Sequence, residues 1–88
     1  MENEKEKFEK IISFLENVAA DKMLAKNAIG SWPDNIDEEK DKLIANAWHS
    51  LSHFMVDDDI REKDKTYSEY QRKELLEFAE KIRKKYQI

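Results

Sequence analysis

Two histidines, His49 and His53, stand four residues apart in the stretch "WHSLSHFMVDDD", and Asp57 follows four residues later. On a helix, residues four apart share a face, with Cβ atoms roughly 6 Å apart. Each step of four drifts by about 40°, which leaves Asp57 about 80° round from His49. Two imidazoles and a carboxylate are a workable set for zinc, nickel or iron, with Asp58 or a tail carboxylate as a fourth ligand. The same rings could serve a small enzyme as acid and base, because imidazole titrates near neutral pH. A plainer reading competes with both. Each histidine flanks the apolar series Trp48, Leu51, Phe54 and Met55, so both fit the border of a core. The stretch also lacks the glutamate that follows the first histidine in zinc proteases. The border reading is preferred, and no cofactor is expected.

The acids that follow, "VDDDIREKD", do not fit a calcium loop once positions are counted. Starting at Asp57, the fifth position is Arg61, the sixth Glu62 and the twelfth Ser68. A calcium loop wants an oxygen ligand, a glycine and a glutamate there. A local role suits these acids better. The fork of Arg61 can hold a carboxylate at two points, so an Asp–Arg clasp that fixes this segment is expected.

Other chemistry has little to build on. The chain has no cysteine, which excludes disulfides, thiolate metal sites and thiol nucleophiles. It has one glycine, so neither a phosphate-cradling loop nor a nucleophile elbow can be assembled. Charge is uneven along the 88 residues: net −1 over 1–30, −6 over 31–64 and +3 over 65–88. The overall −4 disfavours nucleic-acid binding, which needs a basic surface. The basic tail "KIRKKYQI" fits a helix C-terminus, where cations face the negative end of the dipole. The charged start "MENEKEKFEK" shows no export signal, and no apolar run approaches a membrane span. A cytoplasmic protein with no membrane association is expected.

The elements that must position these residues are helices. One Gly and one Pro are too few turn residues for an all-β chain. Phe8, Ile11, Ile12, Leu15, Val18, Ala19 and Met23 recur at steps of three and four, and Leu24, Ala25, Ala28 and Ile29 carry the pattern on. A first helix is predicted over 4–29, stopped by Gly30 through its tolerance of left-handed backbone. "GSWPDNIDEEK" is a loop, with Trp32 as a lid on the core edge and Asn35 or Asp37 as the next cap. The second helix, 37–56, carries a wide stripe of Leu43, Ile44, Ala47, Trp48, Leu51, Phe54 and Met55, and should be central. Residues 57–65 form an acidic irregular connection with room for a single turn at Ile60. A third helix is predicted over 66–86, begun by Asp64 or Thr66.

The fold expected is therefore all-α: a small three-helix bundle in one domain spanning 1–88. The function expected is a protein-interaction or regulatory module. Its surface would involve Trp32, Tyr67 and Tyr70, with Asp57, Asp58, Asp59 and Arg61 lending charge selectivity. A protein partner or self-association is expected, a homodimer included, since so small a domain often completes its core with a second copy.

Overall fold

The computed structural model describes residues 4–33 and 40–88, all of them helical or in short connections. Five helices follow in order: α1 (Glu4–Ala19), α2 (Ala25–Gly30), α3 (Lys42–Val56), α4 (Asp58–Lys63) and α5 (Lys65–Tyr86). The all-α bundle expected from periodicity is present. Its helices are more numerous and differently bounded.

The first predicted helix is two helices. The break falls at Asp21, which takes a left-handed conformation with φ 62°. Lys22 N–H donates to Asn17 O at 2.8 Å and Asp21 N–H to Val18 O at 3.2 Å. These are the paired bonds of a Schellman ending, with aspartate in the place glycine usually fills. Gly30 closes α2 without a positive φ, so the left-handed stop is at Asp21 instead.

Helix α3 begins at Lys42, with Lys40 and Asp41 outside it. Asp41 is the cap, accepting from Leu43 N–H at 2.9 Å. Asn35 and Asp37, the expected caps, lie outside the described residues. The predicted irregular connection holds α4, a six-residue helix between Asp57 and Asp64. Asp58 and Asp59 occupy its first turn and Arg61 and Lys63 its last, as the helix dipole favours. Asp64 then caps α5, accepting from Tyr67 N–H at 3.1 Å.

Helix α5, not α3, is the central element: α1, α3 and α4 all pack on it. Phe8 stacks on Tyr86 with centroids 3.7 Å apart, while Ala19 at the other end of α1 meets Arg72. Asp41 meets Lys85, and Ser50 donates to Glu74 at 2.7 Å further along. Helices α1 and α3 therefore both run antiparallel to α5, and parallel to each other. The wide stripe of α3 does face two partners, α5 on one side and α2 on the other. Helix α2 offers α3 the small buried residues Ala25 and Ala28. The core between the layers is aliphatic, with Ile11, Leu15, Ile44, Leu51, Leu75 and Ile82 excluded from water. Among the described residues no helix is long and apolar enough to cross a membrane.

Candidate functional site

At the α4 end of the bundle, α1 and α3 both terminate beside the first turns of α5. A helix leaves its last carbonyls without intrahelical donors. Here two arginines supply them. Arg72 on α5 donates from Nη1 to Ala19 O, the last carbonyl of α1, at 2.8 Å. Arg61 on α4 donates from Nη1 to Phe54 O, in the last turn of α3. Cations are well placed at both ends because the helix dipoles point their negative poles there.

Both guanidiniums lie over the ring of Phe54. Arg61 Cζ is 3.4 Å and Arg72 Cζ 5.5 Å from its centroid, both within cation–π range. A polar network locks the arrangement behind the ring. Arg61 Nη1 also donates to Gln71 Oε1 at 2.9 Å. Gln71 Nε2 donates to Asp57 Oδ2 at 3.0 Å, and the Tyr67 hydroxyl donates to the same oxygen at 2.6 Å. Gln71 is the buried polar residue of the described fold, and the network accounts for both ends of its amide. Two exposed carboxylates close the outside: Asp58 pairs with Arg61 at 3.3 Å and Asp21 with Arg72 at 2.9 Å.

The ionisable groups respond accordingly. Burial lowers the pKa of Arg61, with Asp58 pulling it back up and Arg72 pushing it down. Its side chain remains a cation, since arginine is not deprotonated in proteins. The hydroxyl of Tyr67 is held above its ordinary pKa, first because its proton bridges to Asp57 and then by burial.

In front of Phe54 and the two arginines opens a groove of about 600 Å³. Its walls come from the α1–α2 turn, the end of α3, α4 and the start of α5. Met23, Leu24 and Met55 give it apolar lips, and Leu24 and Met55 are exposed at 66% and 40%. Asp21, Asp58 and Glu62 stand along the same rim.

The residues that stand out in the sequence divide between places. Asp57, Asp58, Arg61 and Tyr67 come together in the network, and the expected Asp–Arg clasp is the Asp58–Arg61 pair. Tyr70 and Asp59 are exposed. Trp32 packs against the core edge beside Phe14, ring centroids 6.3 Å apart, and lines no part of the groove. Its indole Nε1 is buried, with no hydrogen-bond partner among the described residues. His49 is exposed with its ring edge-on to Trp48 at 5.3 Å, and His53 is exposed in the last turn of α3. Among the described residues no three His, Cys, Asp or Glu side chains are grouped to hold a metal ion, so His49, His53 and Asp57 do not form that set. The carboxylate of Asp57 turns inward, to Tyr67 and Gln71.

Gln71, Arg72 and the groove residues Leu24 and Met55 carry no functional signal in the sequence. Leu24 and Met55 fit the apolar periodicity and look like core. Only the Asp21 turn and the α3–α4 corner bring them to the surface. No known protein family matches this sequence, and no characterised protein or solved structure shows significant similarity to it.

Proposed function

We propose that this protein is a small interaction module that docks a partner protein in the groove at the α4 end. The observation that supports it is the groove itself: an open cavity of about 600 Å³ with exposed apolar lips, built over a ring that two arginines contact. Exposed apolar residues scattered singly mean little, but ones gathered along a cavity mark a contact site. Methionine suits such a lip because its unbranched thioether adapts to different shapes. The floor does not adapt, because hydrogen bonds hold both arginines from behind. A rigid floor with adaptable lips is a good receptor for a partner's apolar anchor, since little ordering cost falls on the receptor.

Acid–base catalysis by the histidines lacks this support, because neither His49 nor His53 lines the groove. The test is affinity capture from an extract of the source cells with three baits: the natural chain, Leu24→Asp and Leu76→Asp. Leu24 lines the groove, while Leu76 is an exposed apolar residue outside it. The expected result is a defined partner kept by Leu76→Asp and lost by Leu24→Asp, then reproduced with the purified partner. A partner lost only with Leu76→Asp would move the docking surface to the outer face of α5.

A further inference from the structure

We infer that the groove takes a basic amphipathic segment, in which apolar anchors are flanked by lysine or arginine. This rests on the docking reading above and adds the chemistry of the occupant. The inference comes from how charge is layered in the groove walls. Both arginines point inward: their side chains are 8% and 28% exposed for Arg61 and Arg72. Their donors are occupied by helix-end carbonyls, by Gln71 and by Ser68. Their carboxylate partners point outward, with Asp58 80% and Asp21 74% exposed. The side chain of Glu62, also exposed on the rim, makes no hydrogen bond or ion pair among the described residues.

An approaching ligand therefore meets three carboxylates around an apolar opening, with Lys26 as the exposed cation of the lining. The groove's net formal charge is near zero, yet its outer layer is acidic. Short-range selectivity follows the outer layer, because the guanidiniums are turned inward while Asp21 and Asp58, each paired through Oδ1 alone, and Glu62 face the solvent from which a ligand arrives. A basic segment would place its anchor between Leu24 and Met55 over Phe54 and its ammonium or guanidinium groups against the rim. An acidic segment with the same anchors would bring like charges together, which disfavours it.

Two synthetic helical peptides test this. Each has leucines at i, i+3, i+4 and i+7; one carries lysines at the remaining positions and its twin carries glutamates. Binding to the full chain is measured by fluorescence anisotropy at low and high salt. The lysine peptide should bind at least about tenfold more tightly than its twin at low salt, and the gap should narrow as salt screens the rim. Leu24→Asp, or Met55→Asp should the first variant fail to fold by circular dichroism, should abolish binding. The double variant Asp21→Asn/Glu62→Gln should reduce the lysine preference several-fold.

Equal binding of both peptides, lost in Leu24→Asp, would overturn the basic-segment inference and leave the docking groove standing. Lysine-peptide binding that survives or strengthens in Leu24→Asp would reveal diffuse attraction to an acidic protein and overturn the inference. Failure of both peptides would overturn it too, and the capture experiment would then decide the docking reading separately.

Discussion

At the C-terminal end of α5, Tyr86 lies flat on Phe8, with the rings 15° from parallel. Arg83 grips Glu16 with both terminal nitrogens, at 2.7 and 3.2 Å, and Lys85 reaches Asp41 at 3.0 Å. Apolar surface is covered there, and ion pairs sit outside it. At the N-terminal end of α5 the layering is reversed. Arginines are inside, hydrogen-bonded and stacked on Phe54, while Leu24 and Met55 are left in water. Both ends meet the same problem, which is closing the ends of helices against α5. The first end solves it by burial. The second solves it with side-chain donors, and that solution leaves an opening. A helical bundle can thus keep an open cavity in a small chain, provided polar side chains do at one end what apolar contact does at the other.

The largest expected effect breaks the apolar end. Phe8→Ala removes a buried ring and its stacking partner's contact, at a cost of about 3 kcal/mol by chemical denaturation. A double-mutant cycle with Tyr86→Ala should show a coupling of about 1 kcal/mol from the stacking itself. Coupling near zero would mean that the two rings contribute only separate burial. Next comes the polar end. Arg61→Ala leaves Phe54 O and Gln71 Oε1 without their donor, and should cost about 2 kcal/mol. The exposed Asp58–Arg61 pair contributes little of that, so Asp58→Asn should cost under about 0.5 kcal/mol. An equal loss in both variants would put the energy in the ion pair and not in the helix-end bonds.

A smaller effect sharpens the comparison through pH. Burial raises the pKa of Asp41, but the hydrogen bonds from Lys85 and from Leu43 N–H outweigh it and leave the pKa lowered. A carboxyl lowered by folding stabilises the native state above its unfolded pKa, near 4, and that contribution fades as pH falls through the lowered value. Asp41→Ala should therefore cost about 1 kcal/mol at neutral pH, as cap removal does, and less in acid. Tyr67 has the opposite sign. Its raised pKa favours the protonated fold, so its contribution is complete below the unfolded pKa of about 10 and is lost as pH rises through the folded value. A spectroscopic titration should show a late tyrosine component that Tyr67→Phe removes. An unchanged curve in that variant would place the late tyrosine elsewhere.

The apolar end is largely legible in the sequence, and the polar end is not. Steps of three and four name local neighbours on one helix face, and Phe8, Ile11, Ile12, Leu15 and Val18 are all buried as that pattern requires. The Asp58–Arg61 clasp is legible for the same reason, being three residues apart. The contact of Arg72 with Ala19 spans 53 residues and leaves no periodic trace. Gln71 shares the register of Leu75, Phe78 and Ile82, but nothing in that spacing shows the partners, Arg61 and Asp57, that satisfy its buried amide. The turn at Asp21 is hidden because aspartate holds the left-handed position, where glycine is the usual signal. Aspartate can take that conformation at modest cost, and Leu24 owes its exposure to the turn.

Trp32 supplies the smallest effect and separates the two candidate surfaces. Its Nε1 is buried with no partner among the described residues, and an orphaned donor costs about 1–3 kcal/mol relative to a paired or hydrated one. Trp32→Phe removes that donor together with part of a ring that packs on the core edge, a loss of about 1–2 kcal/mol of apolar burial. The two terms oppose and nearly cancel, so stability should change by less than about 1 kcal/mol. A loss well beyond that would show the indole to be bonded in solution. The same variant bears on binding. A tryptophan at the centre of an interface is a frequent hot spot, so partner affinity would fall sharply if Trp32 were the anchor. The groove reading places the anchor at Leu24 and Met55. On that reading Trp32→Phe leaves partner binding intact while Leu24→Asp destroys it, and the reverse pattern would return the surface to the indole.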